Sequence, residues 1–361
     1  MWSVAVVTSG FPRLSETFLI NELAGLEARG ALAGIFATKP GDGSPIQPDA
    51  ARLLSNVQWL PSGTPTEQAA AAARALRGHS VTGVHGYFAH TPAEVARLLA
   101  ERLDVPFGFS AHARDVRKIE AAALSRQARL AACVVACNAE VAGVLQAAGA
   151  HVDHVPHGVD ASRFRPGHRM RNGRLEILAV GRLVEKKGFE VLVDATRRLT
   201  SPFRLRIIGD GGLRDRLESA IGVDHRSRRH QVGRIELCSP RTHAELPDVY
   251  ASSDVVVVPS VIDATGDRDG LPNVVLEAMA SGVAVVGSDV AAIATAVVDG
   301  ETGFLVPPGD PVALASRLEV LARDPHLTAR LGRTGRERVE ADFPLEGCID
   351  RLCRVMRDAY G

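Results

Sequence analysis

Pro156-His157-Gly158-Val159-Asp160, continuing through Phe164-Arg165-Pro166-Gly167-His168 to Asn172-Gly173, is rich in proline, glycine and charge and has no regular apolar period. Directly after it, the pattern that precedes it begins again: short β-branched apolar runs alternating with amphipathic stretches. A break of this composition between two such series marks a domain boundary. A length of 361 residues also points to two domains, at roughly 150 residues each. The boundaries follow as 1–165 and 174–342, with Phe343 to Tyr360 read as one more helix that crosses back onto the first domain.

Outward from that break, strands are expected in the first half near Val4–Thr8, Gly34–Thr38, Gly83–His85, Pro106–Ser110, Cys133–Cys137 and Val152–Val155. The second half places them near Glu176–Val180, Arg204–Ile208, Ile235–Leu237, Val255–Pro259, Val283–Val286 and Phe304–Val306. Between them, Glu16–Arg29, Ala93–Leu103, Gly188–Leu199 and Pro311–Arg323 carry apolar residues at three-to-four spacing, as crossover helices do. The class is therefore α/β, with parallel sheets covered by helices on both faces. Two such sheets place a ligand in the crevice at the carboxyl ends of the strands, where the halves face each other.

Forty-two basic residues balance forty-two acidic ones, and 46% of the chain is apolar. Neutrality removes whole-protein attraction to nucleic acid as a default. The N-terminus lacks the basic and long apolar regions of a signal peptide, and no apolar run approaches the roughly 18 residues of a membrane span, so a cytoplasmic protein is expected. Five cysteines at 133, 137, 238, 348 and 353 form neither a zinc-type pair of pairs nor a Cys-x-x-Cys, and read mostly as small buried hydrophobes.

Chemistry concentrates after strands. In Asp267-Arg268-Asp269-Gly270-Leu271-Pro272-Asn273 through Gly282, Pro272 suits the first helical position and Gly282 the left-handed position past the end. A helix of about ten residues would then aim its amino end at an anion beside Gly270 and Leu271. Glu277 lies five residues along, about 7 Å, where its carboxylate can accept two hydrogen bonds from a ribose diol. Gly181-Arg182-Leu183-Val184-Glu185-Lys186-Lys187-Gly188 follows the first strand of the second half and holds two of the chain's four lysines. Arg182 and Lys187 can clamp a diphosphate and stabilise it as it departs, without a metal. Ile208-Gly209-Asp210-Gly211-Gly212 lacks the last glycine of a dinucleotide fingerprint, since Arg214 stands there, and reads as a tight turn lining the cleft. A nicotinamide enzyme is disfavoured. In the first half, the loop containing Ser9, Gly10, a candidate N-cap Ser15 and Glu16 lines the cleft, and His112 and Asp115 are placed to reach a substrate.

Taken together, Gly181-Arg182-Leu183 with Lys187-Gly188, Gly209-Asp210-Gly211, Asp269-Gly270-Leu271-Pro272 with Glu277-Ala278-Met279-Ala280, Thr302-Gly303-Phe304-Leu305-Val306 and Pro156-His157-Gly158-Val159-Asp160 resemble the family 4 retaining glycosyltransferases of the GT-B fold. Phe11-Pro12-Arg13-Leu14-Ser15-Glu16-Thr17-Phe18 and Ser110-Ala111-His112-Ala113-Arg114-Asp115 resemble the colanic-acid and exopolysaccharide branch. The resemblance implies a UDP- or GDP-sugar held mainly by the second domain and a hydroxyl acceptor (a saccharide, a lipid-linked saccharide or a small molecule) bound mainly by the first. It assigns Arg182 and Lys187 to the diphosphate, Glu277 to the ribose, the Gly270-Leu271 backbone to phosphate oxygens, and Asp269 and His112 to the sugar. Two places depart from the family pattern: Asp269 is one methylene shorter than the usual glutamate, and Ala291-Ala292-Ile293-Ala294-Thr295 replaces a Gly-Gly-x-Pro-Glu turn.

Three further patterns compete for attention. Asp267-Arg268-Asp269 has the form of a metal-binding Asp-x-Asp, but beside Arg182 and Lys187 cationic side chains are expected to do that work, and no metal is expected. His151, His154 and His157 are spaced by three, which in an extended strand turns neighbours to opposite faces. Arg114, Arg117, Lys118, Arg126 and Arg129, with Arg226, Arg228 and Arg229, form either a solvated helix face or a peripheral contact with the inner membrane face. The expected activity is retaining sugar transfer from a nucleotide-diphosphate donor. The alternatives are a nucleotide-sugar epimerase of the same architecture and a non-catalytic nucleotide-sugar-binding subunit.

Overall fold

In the computed structural model of the chain, the described residues are 2–14, 16–43, 46–113, 115–167, 173–227, 232–290 and 292–361, with only the backbone of 118 and 223–227. They divide into two compact units: Met1–Gly158 with Leu345–Gly361, and Val159–Pro344. Residues 159–165, expected with the first domain, pack with the second. Phe164 is buried in its core, the Val159 N–H donates to the Phe343 carbonyl at 3.0 Å, and Arg336 donates to the Phe164 carbonyl at 2.9 Å.

The first unit contains strands β1 (Val4–Phe11), β2 (Leu32–Pro40), β3 (Val57–Trp59), β4 (Gly83–Tyr87), β5 (Phe107–Ala111), β6 (Cys133–Ala136) and β7 (Asp153–His154) in one parallel sheet ordered β3-β2-β1-β4-β5-β6-β7. The second contains β8 (Leu175–Val180), β9 (Phe203–Ile208), β10 (Gly233–Cys238), β11 (Val255–Val258), β12 (Ala284–Ser288) and β13 (Phe304–Val306), ordered β10-β9-β8-β11-β12-β13 and again parallel. Both are doubly wound sheets of the Rossmann type, in which the order reverses beside the first strand. The expected strands all form. β3 is the strand the apolar pattern does not announce, because it is a three-residue edge whose Trp59 is 45% exposed.

Alternation explains the layers. Val4 and Val6 of β1 enter one core while Ala5 and Val7 enter the other; in β11, Val255 and Val257 oppose Val256 and Val258 in the same way. Strands buried on both faces must be apolar on both. Helices supply the covers: Thr17–Ala28 and Thr91–Leu103 in the first unit, Phe189–Thr196 and Pro311–Arg323 in the second, each within a few residues of its expected span.

The last helix, Leu345–Tyr360, lies on the first unit through Ile349, Leu352, Cys353, Met356 and Tyr360, one helical stripe. Glycines make room for it. A Cβ on Gly25 would stand 2.5 Å from Ile349, one on Gly83 2.4 Å from the Tyr360 ring, and one on Gly108 2.2 Å from its hydroxyl. The Tyr360 hydroxyl meets one ring nitrogen of buried His85 at 2.8 Å, and Ser110 meets the other at 2.8 Å. Burial pushes the His85 pKa down to about 3, so the ring is neutral.

A histidine held below its ordinary value near 6.5 contributes stability that is present above that value and lost as the pH falls toward about 3. Acid should therefore loosen the C-terminal helix. Equilibrium unfolding of wild type should show a stability loss on the order of 4–5 kcal/mol between pH 6.5 and 3 that His85→Gln lacks; parallel pH profiles would refute this account.

Candidate functional site

In the second unit the ends of β8 and β11, at the reversal point, carry the polar residues. Two glycines bring their loops into contact. Gly188 adopts a left-handed φ of 63°, and a Cβ there would stand 1.9 Å from the Pro259 carbonyl oxygen; on Gly209 it would stand 1.9 Å from that of Gly181. The loops are then laced together: the Val261 N–H donates to the Lys186 carbonyl at 2.9 Å, and the Ala264 N–H to the Glu185 carboxylate at 3.2 Å. Arg214, which stands where a dinucleotide fingerprint would have glycine, donates to the Gly209 carbonyl and the Asp210 carboxylate, both at 2.8 Å.

This lacing sets two ammonium groups against two carboxylates. Lys187 Nζ lies 2.8 Å from Asp269 Oδ2, and Lys186 Nζ lies 3.2 Å from Asp267 Oδ2 and 3.6 Å from Asp269 Oδ1. The Ser260 hydroxyl donates to Asp269 at 2.9 Å. Burial alone would raise the Asp269 pKa, but the charges of Lys187 and Lys186 override it and hold the carboxyl below its ordinary range. Both carboxylates of the Asp-x-Asp thus face lysines. Arg182, by contrast, is exposed, and its side chain makes no hydrogen bond or ion pair among the described residues.

After the half-buried Gly270 and Leu271, the helix runs Asn273–Ala280, eight residues rather than about ten. Pro272 is its N-cap, with ψ 134°, rather than its first helical residue; Gly282 ends it at φ 63° as expected. First-turn amides have no intrahelical partner, and the dipole adds positive potential there. Glu277 lies on the buried side: it accepts the Tyr250 hydroxyl at 2.7 Å, with His243 Nε2 at 3.5 Å from its other oxygen.

The first unit has a different character. Gly10 is not in a loop after the strand; β1 runs to Phe11, and Gly10 pairs with Lys39, where a Cβ would meet the Pro40 carbonyl at 2.6 Å. His112 follows β5 directly, its ring among Phe18 at 4.7 Å, Phe88 at 5.0 Å and His157 at 5.2 Å. Burial, reinforced by His157, pushes its pKa well below the ordinary value, so the imidazole is neutral. Asp115, expected to reach a substrate, is instead turned inward. It accepts the amides of His112 at 2.7 Å and Ala89 at 2.6 Å, anchoring both loops, and burial pushes its pKa up to about 7. Ser15, Arg114 and Ala291 lie outside the described residues, as do Arg228, Arg229 and the side chains of Lys118 and Arg226. Of the other basic residues, Arg117 pairs with Glu140 at 2.9 Å and Arg126 lies 3.9 Å from Glu94. No helix among the described residues is long and apolar enough to cross a membrane.

Comparison with known proteins decides the family. Residues 15–163 match the Glycosyltransferase Family 4 profile and residues 174–324 the Glycosyl transferases group 1 profile. The chain belongs to the family 4 glycosyltransferases. A putative colanic acid biosynthesis glycosyltransferase of Salmonella typhimurium, WcaL, is 35% identical over 206 residues, 55% of this chain and 49% of that protein. Glycogen synthase of Mycobacterium tuberculosis is 31% identical over 271 residues, 70% of this chain and 63% of that one. The chain thus matches about half the length of the WcaL relative. Among solved structures, HepE of Anabaena in complex with UDP shares the fold with a TM-score of 0.79 at 17% identity, over 99% of this chain and 100% of that one. These GT-B structures share the two parallel-sheet Rossmann-like domains.

Within this family 4 chain, the structure brings Lys187, Asp269 and their loops together and leaves Glu277 in a buried cluster of its own. Lys186, Ser260, Tyr250 and His243 are the participants that sequence reasoning did not single out. Lys186 was visible as the neighbour of Lys187; Tyr250 and His243 stand far from any motif, and only the fold delivers them to Glu277.

Lys187→Ala leaves the buried Asp269 carboxylate with Lys186 at 3.6 Å and Ser260. The variant should lose about 1–3 kcal/mol of stability, read by urea unfolding, and adding Asp269→Asn should restore part of it. A loss that the second substitution deepens would contradict the pairing.

Proposed function

We propose that this chain transfers a hexose-like unit from a UDP- or GDP-sugar to an acceptor hydroxyl, with retention at the anomeric carbon. One observation carries the reading: a buried Lys–Asp network and an exposed arginine sit at the strand-order reversal of the second unit, beside a helix amino end. Ligands of doubly wound sheets bind at that reversal, and a diphosphate is the ligand that two cations and a helix amino end recognise together. One protein of the same fold adds support, since HepE of Anabaena has been crystallised with UDP, with UDP and glucose, and with UDP-glucose.

In this reading Arg182 closes on the diphosphate with its planar fork. Lys187 has three donors, so it can keep Asp269 and still donate to a phosphate oxygen. The Gly270-Leu271 segment contributes backbone, Gly209 keeps the floor of the loop open, and Glu277 receives the ribose with Tyr250 fixing its carboxylate. Asp269, ionised and immobile, accepts from sugar hydroxyls. Negative charge on the departing diphosphate is stabilised by Arg182 and Lys187, and a phosphate oxygen takes the acceptor proton as the new bond forms on the same face. The lysines occupy the Asp-x-Asp carboxylates, so the charge stabilisation is assigned to side chains and turnover is expected to persist in a chelator. We assign acceptor binding to the first unit and the sugar contact there to neutral His112. A role in exopolysaccharide assembly follows from the similarity to WcaL.

The test begins with thermal shifts over a panel of nucleotides and nucleotide sugars, since a ligand that prefers the native state raises its melting point. UDP or GDP should stabilise wild type, and Arg182→Ala should lose most of the shift. With the stabilising donor and an oligosaccharide or lipid-linked acceptor, Lys187→Ala and Glu277→Gln should lower turnover by about 10²–10³ while far-ultraviolet dichroism stays native. Donor consumed without acceptor would identify an epimerase; nucleotide bound but never released from its sugar would identify a binding subunit.

A further inference from the structure

We propose that Cys137 is a reactive thiolate, a site of covalent modification that takes a mixed disulfide from a small disulfide and so blocks the place that His112 occupies beside it. Burial sorts the five cysteines. Cys133, Cys348 and Cys353 are buried, which pushes their thiol pKa values up, to about 12 for Cys133 and about 11 for Cys348, and leaves them inert. Cys137 and Cys238 are half-buried. Around Cys137 the topology collects partners, because β5, β6 and β7 are adjacent and parallel and the residues leaving their carboxyl ends emerge side by side. His112 directly follows β5, Cys137 directly follows β6, and His157 stands three residues past β7. One ring nitrogen of each histidine and the Cys137 sulfur all lie within 4.8 Å of one another.

A relay of side chains fixes the imidazole at the sulfur. His157 Nδ1 lies 2.8 Å from Glu22 Oε1, and the other Glu22 oxygen accepts the Tyr87 hydroxyl at 2.7 Å. That pairing commits Nδ1 and leaves Nε2 as the nitrogen available to Cys137. Burial alone would lower the His157 pKa, but the charge of Glu22 and the bond to Cys137 override it and raise it to about 10, so an imidazolium stands beside the sulfur at neutral pH. Two more features favour negative charge there. The Asn138 side-chain amide donates to the sulfur at 3.5 Å. Asn138 is also the N-cap of the helix Ala139–Ala147, so Cys137 sits just ahead of a helix amino end, where the dipole favours an anion. Reactive cysteines occupy such electropositive, partly exposed places. Glu140, in the first turn of the same helix, would oppose the charge but is paired with Arg117 at 2.9 Å; His112 is neutral, and His154 is hydrogen-bonded to the Cys137 backbone.

In the exchange, the Cys137 thiolate attacks one sulfur of a disulfide RS–SR. The S–S bond of the reagent breaks, a Cys137–S–S–R bond forms, and RS⁻ leaves and takes a proton from solvent. His157 keeps its proton through its pairing with Glu22, and a free thiol restores Cys137 by the reverse exchange. The R group then stands within reach of His112. Its effect on sugar transfer rests on the reading that gives His112 the sugar contact; the exchange itself does not.

The experiment treats the native full chain with hydroxyethyl disulfide, without nucleotide, and locates the modified residue by peptide mass spectrometry. Cys137 should react first, and its reaction should stay fast down to about pH 6, where an ordinary thiol is almost wholly protonated. Glu22→Gln should slow the reaction about tenfold at that pH and leave it unchanged near pH 9, a pattern that a merely structural loss would not give. Cys137→Ser should lose the fast reaction, whereas Cys238→Ser, which removes the half-buried thiol of the second unit, should react like wild type. Should Glu22→Gln fail to fold, His157→Gln reports on the same dependence. The modified chain should keep the thermal shift given by UDP or GDP yet lose turnover, and added thiol should restore it. A first reaction at Cys238, a Cys137 rate that falls with pH as a free thiol's does, an unchanged profile in Glu22→Gln or His157→Gln, or full turnover in the modified chain would overturn the proposal. A chain that reacts at Cys137 as described but transfers no sugar when unmodified would bear out the thiolate and overturn the transferase reading instead.

Discussion

Two ammonium groups set against two carboxylates constrain the loops that follow β8 and β11. An ion pair removed from water repays its desolvation only with good geometry and further hydrogen bonds. Here the geometry is enforced by backbone: Gly188 lets the loop after β8 pass within contact distance of Pro259, and the amide of Val261 then ties to Lys186. Ser260 fills a remaining acceptor site on Asp269. A side chain at 188 would separate the loops and strand the charges, so a backbone requirement and an electrostatic one meet at a single residue.

That coupling explains what was legible in the sequence. Gly209 announces a tight turn and Gly282 a helix end because few other residues fit them, and each appears where it is expected. Continuous apolar runs such as Val255–Val258 announce strands because burial on both faces leaves no room for polar residues. Three-residue β3 and the Glu277–Tyr250–His243 cluster were illegible for the converse reason: an edge strand needs no apolar pattern, and pairing between distant elements leaves no local trace. Asp115 misled because a carboxylate after a strand reads as a ligand until its two backbone partners are seen.

The C-terminal helix shows how one unit can claim a segment from the far end of the chain. Nothing in residues 345–360 alone names a partner beyond an amphipathic stripe. The partner is written in Gly25, Gly83 and Gly108, whose missing side chains leave space that Ile349 and Tyr360 fill. Arg29 adds ion pairs to Glu346 at 2.8 Å and Asp350 at 2.6 Å on the exposed rim, where such pairs contribute little. The specificity therefore lies in shape and in the buried His85–Tyr360 contact.

The two units use the same strand ends for opposite chemistry. At its reversal point the second unit collects fixed charges, Lys186, Lys187 and the two aspartates, on loops that cannot move apart. The first unit places rings over the ends of its strands instead: Phe18, Phe88 at an unusual φ of 79°, neutral His112, and His157 stacked on Phe18 at 4.3 Å. Non-glycine residues with positive φ carry strain that tends to mark functional loops. A diphosphate requires charge, whereas an uncharged hydroxyl acceptor requires apolar surface and neutral hydrogen-bonding groups. The division of labour proposed for the two units thus follows from which side chains each sheet delivers to its carboxyl edge.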